Sequence, residues 1–339
     1  MRTAPWLTGL YLALLAVIGC SGLSEQDQLR LDTFKINSKR FYEEGQFRRA
    51  EDACRKGLMV DPEDQSLFQV LGFSLLRQGG GKKINEAVAI FNRCVEIEDD
   101  FDFRSRLGLG EAHYQMASMW NNEQARIDAD EDLTQEERAA KLAHALESRD
   151  ESYELSERAL REVLESPRGR DHLMARSTLA RLLTVLERYD EAAETLRSMV
   201  ATLSASIKLR NEQIASGALT KEQRPLFEGT LSSLKKQHVE ALELLANVAA
   251  KTSRWEEVIS AFAEIESMGS MQPADFYNRA RAYEALGARD AAITDYDTFV
   301  SRAASRGAAF GDQVSYAMRR KAALLEGGAL IRNPELGGG

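Results

Sequence analysis

Apolar residues recur along most of this chain at intervals of three and four, the spacing that keeps one stripe of an α-helix out of water. Phe34 and Phe41, then Phe68, Leu71 and Leu75, then Leu179 and Leu183, then Leu242 and Leu245, then Phe276 and Tyr283 each draw such a stripe. Each is followed by a polar break and a second stripe, among them Ala87, Phe91 and Cys94; Trp255, Val258 and Phe262; and Ala292, Tyr296 and Phe299. No run of strict alternation competes with them, so the pattern predicts an all-α chain of helix pairs joined by short turns. Small residues sit within the stripes at a fixed period: Gly72 lies 72 − 38 = 34 residues after Ser38, and Ala280 lies 280 − 246 = 34 after Ala246. A repeat of that length describes one helical hairpin, which cannot bury its apolar face alone and stacks on its neighbours.

Aligned on Gly45 of Tyr42-Glu-Glu-Gly-Gln-Phe-Arg-Arg-Ala50, the first repeat resembles the tetratricopeptide (TPR) family. Phe34 then falls at repeat position 4, Phe41 at 11, Ala50 at 20, Leu58 at 28 and Pro62 at 32. In that family helix A packs on helix B through positions 4, 7, 8, 11, 20, 24 and 27, and small residues at 8 and 20 let the axes approach. The resemblance implies a TPR α-solenoid spanning residues 31–305, with about six hairpins near 31–62, 65–98, 103–166, 173–216, 221–268 and 273–304. Residues 306–326, with Val314, Met318, Ala322 and Leu325 on one face, predict a capping helix, and 327–339, rich in Gly, a disordered tail.

Two intervals exceed the frame. From Gly110 to Ala180 is 70 residues and from Ala180 to Ala246 is 66, and both are filled by helical pattern. Thr134-Gln-Glu-Glu137 forms a capping box that opens a long run, so helix B of the third unit is expected to be elongated. Gly217 ends another run, and Thr220-Lys-Glu-Gln223 restarts it. Two helical arms are therefore expected. They differ in charge: Ser118 to Asp150 holds nine acids and four bases, Val200 to Lys236 three acids and six bases.

The N-terminus carries a different signal. After Arg2, Trp6 to Ile18 is apolar but for Thr8 and Gly9, about the length of a secretory h-region and short of a spanning helix. Val17-Ile18-Gly19-Cys20 resembles the bacterial lipobox. That resemblance implies a lipoprotein signal peptide over 1–19, acylation of Cys20 as a palmitate-bearing anchor, and a tether over 20–30. Ser21 in place of aspartate leans toward the periplasmic face of the outer membrane.

Composition narrows the function. With 44 Lys+Arg against 53 Asp+Glu the net charge is −9, which argues against binding a nucleic-acid backbone. The four histidines fall in no metalloprotease spacing and no CxxC occurs, so no metal or cofactor is expected. Cys54 and Cys94 fall at seam positions 24 and 27, where packing is the first reading and a disulfide the second. Gly79-Gly80-Gly81-Lys82-Lys83 lacks the first Gly and final Ser or Thr of a phosphate loop and reads as a swollen, flexible turn. No G-x-S-x-G elbow is present, and no catalytic residue is nominated.

Function is then expected on surfaces. By resemblance, the concave TPR groove is lined by helix A positions 2, 5, 9, 12 and 13. Here that nominates Lys35, Lys39, Tyr42, Gln69, Phe73, Arg77, Arg104, Glu111, Tyr114, Tyr277 and Arg281 as partner-binding residues. Their Lys, Arg and aromatic side chains suit a partner segment with acidic and apolar groups. The two-carboxylate clamp of chaperone-binding TPRs is absent, since Val70 and Gly108 stand where its asparagine and arginine would. The expectation is a non-catalytic, membrane-anchored scaffold binding envelope proteins or their peptide segments, with no small-molecule substrate. It resembles TPR lipoproteins of outer-membrane protein assembly, pilus biogenesis and peptidoglycan regulation. The alternatives are a secretion or transport subunit docking through its arms, and a peptidoglycan-related enzyme with an unrecognised site.

Overall fold

A computed structural model describes residues 23–97, 102–303 and 310–331, all helix or turn. Residues 1–22, which include the expected signal peptide and Cys20, lie outside the described residues, as does the end of the tail from 332. The chain divides into two compact units, residues 1–119 and 120–339.

In unit one, α1 (Glu25–Glu43) and α2 (Phe47–Leu58) form the first hairpin, α3 (Gln65–Gln78) and α4 (Gly81–Glu96) the second. The first part of α5 (Phe103–Ala129) completes this unit. Unit two holds the rest of α5 and α6 (Gln135–Glu165), then α7 (Leu173–Val185) and α8 (Tyr189–Ala215). These are followed by α9 (Gln223–Lys251), α10 (Trp255–Ser267), α11 (Pro273–Ala285), α12 (Arg289–Ala303) and α13 (Gly311–Leu325). From α1 to α4 and from α6 to α13 each helix packs on the next in sequence, as hairpins joined by short turns must.

The seams follow the repeat. Position 20 is Ala50, Ala87, Ala192, Val258 and Ala292 in five of the hairpins, every one fully buried. Position 8 is Ser38, Gly72, Gly110, Ala180, Ala246 and Ala280, all buried. Small side chains at both places bring the helix axes together, and the larger residues at positions 4, 11 and 24 fill the flanks.

Four A-to-B turns share one hydrogen-bond pattern. Gly45 N–H donates to Tyr42 O and Gln46 N–H to Phe41 O; Glu187 and Arg188, Ser253 and Arg254, and Gly287 and Ala288 repeat the pair of bonds at matching positions. These are Schellman caps, in which one residue must take a left-handed backbone. Gly45 and Gly287 do so at φ 73° and 79°, but Glu187 and Ser253 do so as ordinary L-residues at φ 57° and 55°. The hairpins thus repeat one another in seam and in turn.

Both arms are present. Arm one is formed by the end of α5 and the start of α6, so the lengthening belongs to both helices and not to helix B alone, as the sequence frame implied. An arm of one helix would leave its apolar face in water; a matched pair covers it. The capping box closes as expected, with Thr134 Oγ1 accepting from Glu137 N–H and Glu137 accepting from Thr134 N–H. Arm two is formed by the end of α8 and the start of α9, with Gly217 at φ 73° in its turn. Gln223 N–H donates to Thr220 Oγ1 and Thr220 N–H to Gln223 Oε1.

Two expectations are corrected. The glycine run after α3 is no long flexible turn: Gly79 and Gly80 alone turn at positive φ, Gly81 opens α4, and Lys83 reaches back to Glu51 at 2.9 Å. Residues 327–331, placed in the disordered tail by composition, are held against α11 to α13. Arg289 donates to Leu324 O and Gly328 O, Arg320 to Ala329 O, and Ile331 N–H to Glu284. Arginine donors satisfy the carbonyls that a Gly-rich segment leaves free.

Candidate partner-binding face

In unit one the A helices α1, α3 and α5 carry most of the nominated groove residues, and the first thing these residues do is bond to one another. Lys35, at repeat position 5, pairs with the carboxylate of Asp64. Asp64 is the N-cap of α3, accepting from Leu67 N–H at 2.9 Å and from Ser66 Oγ at 2.6 Å. Burial opposes its ionisation, but the bonds from Lys35, Ser66 and Leu67 outweigh it and hold the carboxyl below its ordinary range. Gln69, at position 5 of the next hairpin, donates to Asp102, which accepts from Arg104 N–H and Ser105 N–H at the start of α5. The arrangement occurs twice: a position 5 side chain ties α1 to the cap of α3, and α3 to that of α5.

A second rung lies further along the same helices. The Arg77 guanidinium interacts electrostatically with Tyr42 and stands 3.5 Å from a Glu111 oxygen, linking α1, α3 and α5. Tyr42 also packs on Phe47, with ring centroids 5.6 Å apart. Phe73 meets Phe91 edge-on at 5.0 Å and belongs largely to the core. Most of the nominated charges are therefore matched within the face. Lys39, paired only loosely with Glu43 at 4.0 Å, and Arg104, lying over the Phe103 ring, remain exposed, and Tyr114 is half-buried.

Unit two departs from expectation. Tyr277 is 6% exposed and packs on Phe299, Tyr296 and Tyr316, with ring centroids 5.2, 6.1 and 5.9 Å away. The Arg281 guanidinium lies 5.5 Å from the Tyr277 ring and 5.8 Å from that of Tyr316. Tyr316 belongs to α13, so the capping helix lies on this stretch of face, and Tyr277 is a core residue and not a partner contact.

Two buried clusters in unit two were not foreseen. Arg279 donates to both oxygens of Asp295, at 2.7 and 3.0 Å, and to Glu266 at 2.6 Å. Glu284, 1% exposed, accepts from Tyr296 Oη at 2.8 Å, from Arg320 and from Ile331 N–H. Each charge in these clusters has its counter-charge and its hydrogen bonds, the condition for burying ions at tolerable cost. Both clusters lock helices and leave no activated acid, base or nucleophile.

Cys54 and Cys94 are buried, unbridged thiols; burial pushes Cys54 up to about 12 despite a bond from Ser38, so it is a packing group. Among the described residues no group of three His, Cys, Asp or Glu side chains is placed to hold a metal ion, and no helix is long and apolar enough to cross a membrane.

No protein-family model matches the chain, and no curated protein matches it. Solved structures do. A tetratricopeptide repeat protein from Parabacteroides merdae is 14% identical over 87% of this chain and 99% of its own, with a TM-score of 0.30. The TPR domain of P58(IPK) is 15% identical over 88% of this chain and 98% of its own, at 0.23. Naa15/Naa10 bound to HypK-THB is 13% identical over 88% of this chain and 61% of its own, at 0.25. At such scores the TPR frame stands on this chain's own seams and turns.

Proposed function

We propose that this chain is a lipid-anchored scaffold of the bacterial cell envelope that holds a protein partner on the A-helix face of unit one and catalyses no reaction. The observation that carries this reading is the ladder itself. Lys35–Asp64, Gln69–Asp102 and Tyr42–Arg77–Glu111 fix three A helices side by side, presenting Lys39, Arg104 and Tyr114 on a preorganised surface. Because the inner charges are already matched, the partner is read by the outer ones and by the aromatic edges. An extended segment with acidic and apolar side chains fits. Membrane attachment through acylated Cys20 is supported by the apolar run Trp6 to Ile18 and the Gly19-Cys20 junction.

Affinity capture after mild crosslinking tests the face, comparing wild type with Lys39→Glu/Arg104→Glu, whose side chains are exposed. Loss of the major partner is expected; an unchanged set of recovered proteins would refute the assignment. Truncating Phe73 is unsuitable, since it would disturb the Phe91 packing. For the anchor, palmitate labelling of the wild type should vanish in Cys20→Ser.

A further inference from the structure

Arm two sets exposed apolar side chains among basic ones, several of which lack an acidic partner among the described residues. Leu226 is 70% exposed and Leu209 56%, two large apolar side chains standing in water close to the tip. Around them Lys208, Lys221 and Arg224 are exposed, with Lys235 and Lys236 further along α9. Lys208, Lys221 and Lys235 have no acidic partner among the described residues, and Arg224 has only Glu228 at 3.6 Å. Arg210 lies over the Phe227 ring at 4.3 Å, so that ring is covered while the leucines are not. Covering both leucines within the protein was open to the fold, since Ile207, Ile214 and Leu231 are partly covered in the same hairpin.

We infer that the tip of arm two docks on an anionic phospholipid surface. Apolar side chains among long basic ones, which outnumber the exposed Glu212, Glu222 and Glu228 of this arm, fit the water–lipid boundary, where leucines enter the acyl region and lysine or arginine stems reach back to phosphate. An acidic protein surface would match the charge, and the chain's own arm one is acidic. Yet among the described residues arm one, 118–150, exposes Met119 alone of the large apolar side chains, at 37%, too little to cover both Leu209 and Leu226. A bilayer supplies both halves of the match. The inference rests on the lipid-anchored reading for the nearness of a membrane, and it adds to that reading a second contact. One acyl attachment point and a basic, apolar patch together hold a protein at a surface more firmly than either alone.

The two arms also leave opposite edges of unit two. Successive turns of an antiparallel stack alternate edges, and the turns at 130–134 and 216–222 are the first and fourth in this unit.

Vesicle flotation with the processed chain, residues 20–339 carrying Cys20→Ser, tests the inference without the anchor. Binding to phosphatidylglycerol–phosphatidylethanolamine vesicles and not to phosphatidylcholine vesicles is expected, weakening as salt rises. Leu209→Ser/Leu226→Ser should lower binding about tenfold, and Lys208→Glu/Lys221→Glu/Arg224→Glu about a hundredfold at low salt. These side chains are exposed, so circular dichroism of both variants should match the wild type. Binding to neither vesicle, or binding untouched by both variants, would overturn the proposal. So would arm variants that abolish self-association, read by sedimentation, while vesicle binding persists; that would assign the arm to a second copy. Failure of palmitate labelling would strike the anchor and leave the vesicle result standing.

Discussion

The ring of Phe91 fills the space that a Cβ at Gly108 would need: the added carbon would lie 2.3 Å from the ring's tip. A Cβ at Gly72 would meet the same ring at 2.6 Å. One aromatic side chain on α4 thus lies against glycines of both α3 and α5. Gly108→Ala should destabilise unit one by about 1–3 kcal/mol through overpacking, although alanine returns roughly 1 kcal/mol of helix propensity. Adding Phe91→Leu should recover part of that loss, and denaturant unfolding of the single and double variants reads the coupling directly.

Glu187 and Ser253 hold the left-handed position that glycine holds in the first and last complete hairpins. Glu187→Gly and Ser253→Gly should each raise stability by about 0.5–1 kcal/mol, because relief of the Cβ clash exceeds the added entropy of the unfolded chain. Gly287→Ala should do the reverse. A shift of the denaturation midpoint at constant slope is the measurement.

Acid should weaken the first two hairpins through Glu51. Burial pushes its carboxyl up, but bonds from Lys83, Gln78 and Arg55 outweigh that and bring it down to about 2. A folded value below the ordinary 4.5 means the contribution is whole above pH 4.5 and is lost as pH falls toward 2. Glu51→Gln should flatten the thermal midpoint across that window while lowering it at neutral pH. An equal slope in both proteins would exclude Glu51 as the source.

Glu284 should be the least replaceable residue of unit two. Glu284→Ala strands Arg320 and the Tyr296 hydroxyl in the interior, at a cost of about 3–5 kcal/mol. Hydrogen exchange at Ile331, whose amide bonds to Glu284, should speed up beyond the global loss. Glu284→Gln keeps an acceptor and should fall between.

What could be read from residues alone follows from which interactions are local. The seam positions, the presence of two arms and the Thr134 and Thr220 caps depend on spacing within one or two turns, and apart from the lengthening of α5 the helices stand where that spacing put them. The links across repeats were hidden, because Lys35 to Asp64 or Arg77 to Glu111 depends on which long side chain reaches a neighbouring helix. A sequence signal existed for one of them: an aspartate directly before each following A helix, at 64 and 102, is a cap that a position 5 side chain can reach. Tyr277 was misplaced because its groove position is filled by the capping helix, whose docking the repeat frame does not encode. Glu187 and Ser253 gave no glycine to betray their turns, and 327–331 are fixed by distant arginines that composition overlooks.

Each arm lengthens two neighbouring helices together, so whole turns can be gained or lost at its tip without shifting any seam below it. Reach and recognition are thereby uncoupled from stability. Variants with shortened arms should fold as well as the parent, and natural sequences are free to reset the distance each arm spans while the repeats beneath stay constrained.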